Sequence, residues 1–225
     1  TMVLVMVSAV SCLYMGAEDF LNSRYPQELV IDVQTEDEEK VDEFYNIVSE
    51  VLEETQTEKE DELFYTYLGA AGYLDGSELA MSPERMESYG TDVYKHIRQL
   101  FFIPVEDYNR LMGKQETLKE NEILLYNTKL EYEEDILALE NGREWKIKKN
   151  VPKFVDNGLD VMQTISSMFI FVKDKETLSE IRQECEQLSG MENAMDNYRG
   201  INLKADAEKQ IEVAQELQKR GAEFE

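Results

Sequence analysis

The chain has 225 residues, 48 acidic and 23 basic, so its net charge is −25. Hydrophobic residues make up 42% and aromatics 10%, enough for a core, which excludes disorder along the whole length. A pI near 4.4 with no basic stripe excludes nucleic acid as a partner and an anionic lipid surface as the docking site of the folded body.

Residues 1–17 carry no charge, and the first charged residue is Glu18. Three readings compete: a buried core helix, a secretory or lipoprotein signal, and the outer end of a transmembrane helix. A signal peptide needs a basic leading region, which is absent. Ala9-Val10-Ser11-Cys12 is an imperfect lipobox, with Ala where Leu is usual. The residues after Cys12 continue as a helix rather than as a polar tether. A bilayer takes about 20 apolar residues, and about 15 run from the first position here. The expectation over 1–24 is therefore the outer end of a transmembrane or stalk helix, stopped by Pro26. The alternative is a membrane-tethered lipoprotein or secreted binding module, lipidated at Cys12.

Glu28 to Val33 reads as a buried strand. Thr35 and Glu38 then form a capping box. Val41, Phe44, Tyr45, Val48, Val51 and Leu52 recur at helical spacing. Residues 35–62 are strongly acidic, as a solvated helix face is. Leu63 to Leu68 alternates as a strand, with Leu63, Tyr65 and Tyr67 on one face. Gly69-Ala70-Ala71-Gly72 and the residues to Gly76 read as a bend, and they match no phosphate-binding loop. Residues 82–95 read as a loop, and His96 as an exposed histidine at the start of a strand that runs to Ile103. Pro104 to Gly113 is a short helix with a glycine stop, and Glu122 to Tyr126 a strand. Ile136–Leu139 and Glu144–Lys149 form a hairpin with a type I′ turn at Asn141-Gly142. Val161–Ile165 and Met168–Val172 are strands. Asp174 caps a helix that carries Leu178, Ile181, Cys185 and Leu188 on one face, making Cys185 a core residue. Arg199–Leu203 is a strand. The last helix starts near Asp206, with Ala207, Ile211, Ala214 and Leu217 as its stripe.

These elements predict an α+β fold. Two β-α-β units, 28–74 and 168–203, would build a mixed-sheet lobe spanning 25–95 and 160–204. Residues 96–159 would form a smaller β-rich inserted lobe. Residues 1–24 and 205–225 would be N- and C-terminal stalk helices.

The chemistry-bearing residues are few. There are two cysteines, Cys12 and Cys185, and one histidine, His96. No CxxC, HExxH or repeated His/Cys spacing exists, so no metal, cofactor or catalytic residue is expected, and the chain reads as a non-enzyme. The candidate ligand contacts are aromatic. Tyr65 and Tyr67 would form a strand-face platform or a core stripe. Trp145 would be a contact at a hairpin tip or a ring packed across the hairpin.

Ser11-Cys12-Leu13-Tyr14-Met15-Gly16-Ala17-Glu18-Asp19, followed by Asn22-Ser23-Arg24-Tyr25-Pro26, resembles the segment where the first membrane helix of FtsX-like ABC transporter permeases enters their large extracytoplasmic domain. Phe102 to Gly113 (FIPVEDYNRLMG), Leu118 to Tyr126 (LKENEILLY) and Phe171-Val172-Lys173-Asp174 are similar to segments of Firmicutes members of that family. The resemblance implies a permease of the MacB/FtsX superfamily, with this domain on the extracellular face of the cell membrane and a separate cytoplasmic ABC ATPase subunit as partner. In the bacitracin-resistance branch it implies antimicrobial peptides or lipid-linked cell-wall precursors as ligands and a sensor histidine kinase as a further partner. In the cell-division branch it implies activation of peptidoglycan hydrolases. No ATP-binding motif occurs in the chain, as a separate ATPase requires.

Overall fold

A computed structural model describes residues 29–35, 38–58, 64–128, 132–155, 165–191, 195–203 and 205–221. The helix expected over 1–24 lies outside them, as does the strand expected at Val161–Ile165 apart from Ile165, which forms a bend. No helix among the described residues is long and apolar enough to cross a membrane.

The organising strand is β2 (Phe64–Asp75), whose twelve residues are long enough to pair three times. Along one edge its first half pairs with β9 (Asp196–Leu203) and its end with β3 (Glu78–Ala80). Along the other edge Leu68–Tyr73 pairs with β4 (Ile97–Pro104). The ring then continues through β6 (Ile136–Leu139), β7 (Glu144–Asn150), β5 (Glu122–Asn127) and β8 (Ser166–Val172). Its order, β2-β3-β6-β7-β5-β8-β4 and back to β2, is a closed seven-stranded mixed barrel. This overturns the expected α+β fold of a mixed-sheet lobe with an inserted β lobe. Strands from both expected lobes build one ring, and closure leaves the seven strands no open edge.

The reason lies in β2. Gly69-Ala70-Ala71-Gly72 stays in the ladder instead of bending, opposite Phe101 to Arg98. Gly72 allows a close approach there: a Cβ would lie 2.7 Å from Leu100 Cδ1 and 3.0 Å from Met81 Sδ, so those side chains would have to shift. The glycine thus lets a neighbouring strand's leucine fill the interior.

β9 also carries β1 (Leu29–Thr35) on its far edge, antiparallel, from Leu29↔Leu203 to Thr35↔Asn197. Both expected β-α-β units are consequently split. β9 lies between β1 and β2, and β4 and β2 lie between β8 and β9.

Three apolar clusters hold the layers. Inside the barrel, Leu68, Leu100, Phe102, Leu125, Trp145 and Ile170 are joined by Leu178, Ile181 and Cys185 of α5 (Lys175–Ser189), which covers one mouth. Outside, Phe101, Ile103, Leu124, Phe169 and Phe171 are covered by Tyr108 of α4 (Val105–Met112) and by Phe154. All seven residues of β8 are buried, as its unbroken apolar run demands of a strand covered on both faces. The third cluster packs α1 (Glu38–Glu54) and α6 (Ala207–Gly221) on β1 and β9, through Val48, Val51, Leu52, Ile201, Leu203 and Val213.

Local chemistry sets the ends. Asp174 caps α5, its Oδ1 accepting the Thr177 N–H at 2.9 Å. Gly113 ends α4 in the left-handed region. Four local expectations are corrected. Thr35 closes β1, and α1 begins at Glu38. Residues 82–95 are not a loop: Ser82 caps α2 (Pro83–Ser88), followed by a 3-10 turn and by α3 (Val93–His96). The β6–β7 turn is not type I′, since Asn141 lacks the positive φ that such a turn needs. Instead Leu139 O accepts the Gly142 N–H, and Gly142 alone is left-handed at φ +92°. In α6 the buried position is Val213, whereas Ile211 is 59% exposed.

Candidate functional site: a polar cleft beside the barrel mouth

Where α5 crosses the barrel mouth it meets α1, the start of β2 and the start of β9. Between them is a cleft of about 190 Å³ lined by Val41, Asp42, Thr66, Leu68, Lys175, Leu178, Ser179 and Asn197. Each element supplies a side chain for a local reason. The amphipathic face of α1 brings Val41, with Asp42 at its border. The first turn of α5, anchored by Asp174, brings Lys175, Leu178 and Ser179.

Thr66 is the fixed point. Its backbone N–H donates to Asp107 Oδ2 at 2.8 Å, from a carboxylate that is 1% exposed and ion-paired with Arg110. Its hydroxyl is buried and has no hydrogen-bond partner among the described residues. A buried polar atom without a partner is costly, and an incoming donor or acceptor offsets that cost. Asn197 is 3% exposed, and Ser179 Oγ donates to Lys175 O at 3.2 Å. The lining therefore offers hydroxyl and amide groups, one acid and one base around an apolar floor. That arrangement has the donors and acceptors to hold a small polar group.

The residues singled out from the sequence fall elsewhere. Tyr65 and Tyr67 sit in β2 opposite Gly200 and Tyr198, and their side chains lie outside the described set. Trp145 is 1% exposed and lies within the barrel, its ring 6.4 Å from Phe102, so it packs and is not exposed at a tip. Arg143 stacks over that ring at 5.5 Å and reaches Glu184 at 2.7 Å and Glu180 at 3.1 Å, tying the β6–β7 hairpin to α5. His96 belongs to α3, not to a strand, and is half-buried. Its Nδ1 bonds Leu74 O at 3.0 Å, and its ring stacks on Tyr89 at 4.9 Å. Cys185 is a core residue as expected, fully buried, with burial pushing its thiol up to about 12. Among the described residues no group of three His, Cys, Asp or Glu side chains could hold a metal.

Sequence reasoning missed Thr66, Asn197 and Lys175. Thr66 stands between the two tyrosines that attracted attention, and one polar residue in an aromatic strand was the available signal. No family model, no curated protein and no solved structure matches the chain.

Proposed function

We propose that this chain is a non-catalytic recognition domain on the extracellular face of the cell membrane, part of an FtsX-like ABC transporter permease. It binds a peptide or lipid-linked ligand and couples that binding to a separate cytoplasmic ATPase, in export, sensing or resistance. The observation that carries this reading is where the family-like stretches meet. Phe102–Gly113 runs through the end of β4 and α4, Leu118–Tyr126 leads into β5, and Phe171–Asp174 ends β8 and caps α5. β5, β8 and β4 are consecutive in the ring. Leu118, Leu124, Phe171, Tyr108 and Ile103 share one apolar cluster. Stretches distant in sequence thus form one wall of the barrel.

Two features support recognition. The cleft holds a buried hydroxyl awaiting a partner. The net charge of −25 attracts a cationic ligand, and that attraction weakens as salt rises.

Tyr94 is 84% exposed and Cys185 fully buried, which makes a topology test direct. The full-length natural gene product carrying Cys12→Ser and Tyr94→Cys is expressed in its own cells and treated with a membrane-impermeant maleimide. Labelling in intact cells, retention in the membrane fraction and co-purification of an ATPase subunit are expected. Labelling only after permeabilisation overturns the reading. Loss of membrane attachment on Cys12→Ser assigns the anchor to a lipid on Cys12, and the chain is then a tethered lipoprotein.

A further inference from the structure

At the opposite mouth of the barrel lies a cation with no carboxylate partner among the described residues. Six arginines have described side chains, and Arg85, Arg110, Arg143, Arg182 and Arg220 each pair with a carboxylate. Arg98 pairs with none among the described residues. Its register opposite Gly72 and Ser166 puts it on the same face of β4 as Leu100 and Phe102, two positions from the interior cluster.

The hydrogen bonds of Arg98 are one-sided. Nη1 donates to Ile97 O at 2.8 Å and to Lys95 O at 3.1 Å, holding the guanidinium against the end of α3. Nε is buried without a partner among the described residues. Nε–H and Nη2–H form the edge of a guanidinium that receives two oxygens of one anion side-on. That edge is the unused one here. Burial, with no carboxylate opposing it, lowers the affinity of Arg98 for its proton, the mark of a desolvated and uncompensated charge.

Further donors come from the adjacent strands. Ser166, in register with Arg98 on β8, donates its hydroxyl to Asn127 Oδ1 on β5 at 3.0 Å. This orients the Asn127 amide, whose Nδ2 has no partner among the described residues. We propose that Arg98, with the Ser166–Asn127 pair beside it, anchors a binding site for an oxyanion, a carboxylate or phosphate group, at this mouth of the barrel.

The test uses the 225-residue chain, 15N-labelled, with the Arg98 Nε–Hε resonance assigned through its own side-chain carbons. Sodium phosphate and sodium acetate are titrated separately against sodium chloride at equal ionic strength, up to about 50 mM, which saturates a site of millimolar Kd. A saturable shift of the Arg98 resonance is expected. Phosphate saturating first assigns a phosphate ligand, and acetate first a carboxylate. Read in the variants on the Ser166 backbone amide, Arg98→Met is expected to weaken the binding by about tenfold or more, and Arg98→Lys, which keeps charge without the fork, by less. No saturable shift beyond that of chloride overturns the proposal, as does an equal response of the ion-paired arginines. The wild-type titration decides the matter even where a variant fails to fold.

Discussion

The wall formed by β4, β8 and β5 and the layer formed by β1, β9, α1 and α6 are both sheet covered by helix, yet they are held differently. The wall is apolar on both faces. Phe101 and Phe169 stack at 4.7 Å outside it, and Phe102 and Ile170 fill the inside. The outer layer rests on one small cluster and on exposed ion pairs, chiefly Arg220 with Glu50 and Glu54. A closed ring covered on two sides resists local opening, whereas a strand pair added to its rim opens on its own terms.

Breaking the wall has the largest expected effect. Phe169→Ala removes a fully buried ring that also meets Phe154 at 5.1 Å, and should cost about 3–5 kcal/mol in urea unfolding. Leu52→Ala, in the outer cluster, should cost about 2–4 kcal/mol. Its hydrogen exchange should quicken in β1, α1 and α6 while the amides of β4 and β8 stay protected. Equal quickening throughout would make the two regions one cooperative unit.

Gly72→Ala sharpens the account of closure. The new methyl meets Leu100, so about 1–3 kcal/mol should be lost, and adding Leu100→Ala should cost less than the two changes summed. Asp174→Ala should cost about 1 kcal/mol through the lost cap of α5. The Thr177 N–H holds the Asp174 carboxyl below its usual range. Its contribution is therefore full above a pH of about 4 and fades as pH falls through the depressed folded value, so the variant's stability should change less over that acid range. Arg220→Ala should have the smallest effect, confined to the outer layer and erased in molar salt.

The local rules were legible in the sequence. The buried face of α1, the cap at Asp174, the stop at Gly113 and the burial of Cys185 all followed from spacing and residue type. Ring closure did not, because β2 pairs with β4 and β9 across long stretches of chain and no periodicity encodes which edges meet. The run Gly69 to Gly72 misled for a physical reason. Glycine marks a bend or a close approach with equal ease, and only Leu100, from another strand, decides between them. The site followed the same pattern. Aromatic residues drew the eye, while Thr66 and Arg98 matter through what they fail to touch, which sequence alone does not display.

Leu29 and Leu203 face each other at one end of the β1–β9 ladder. The first described strand begins beside the end of the last, and α6, which follows it, packs back over both. A pull that separates these two points loads the β1–β9 ladder from its end, one rung at a time. β1 would peel from β9 at low force while the ring, its mouth-covering helix and the cleft lining on β2 keep their shape.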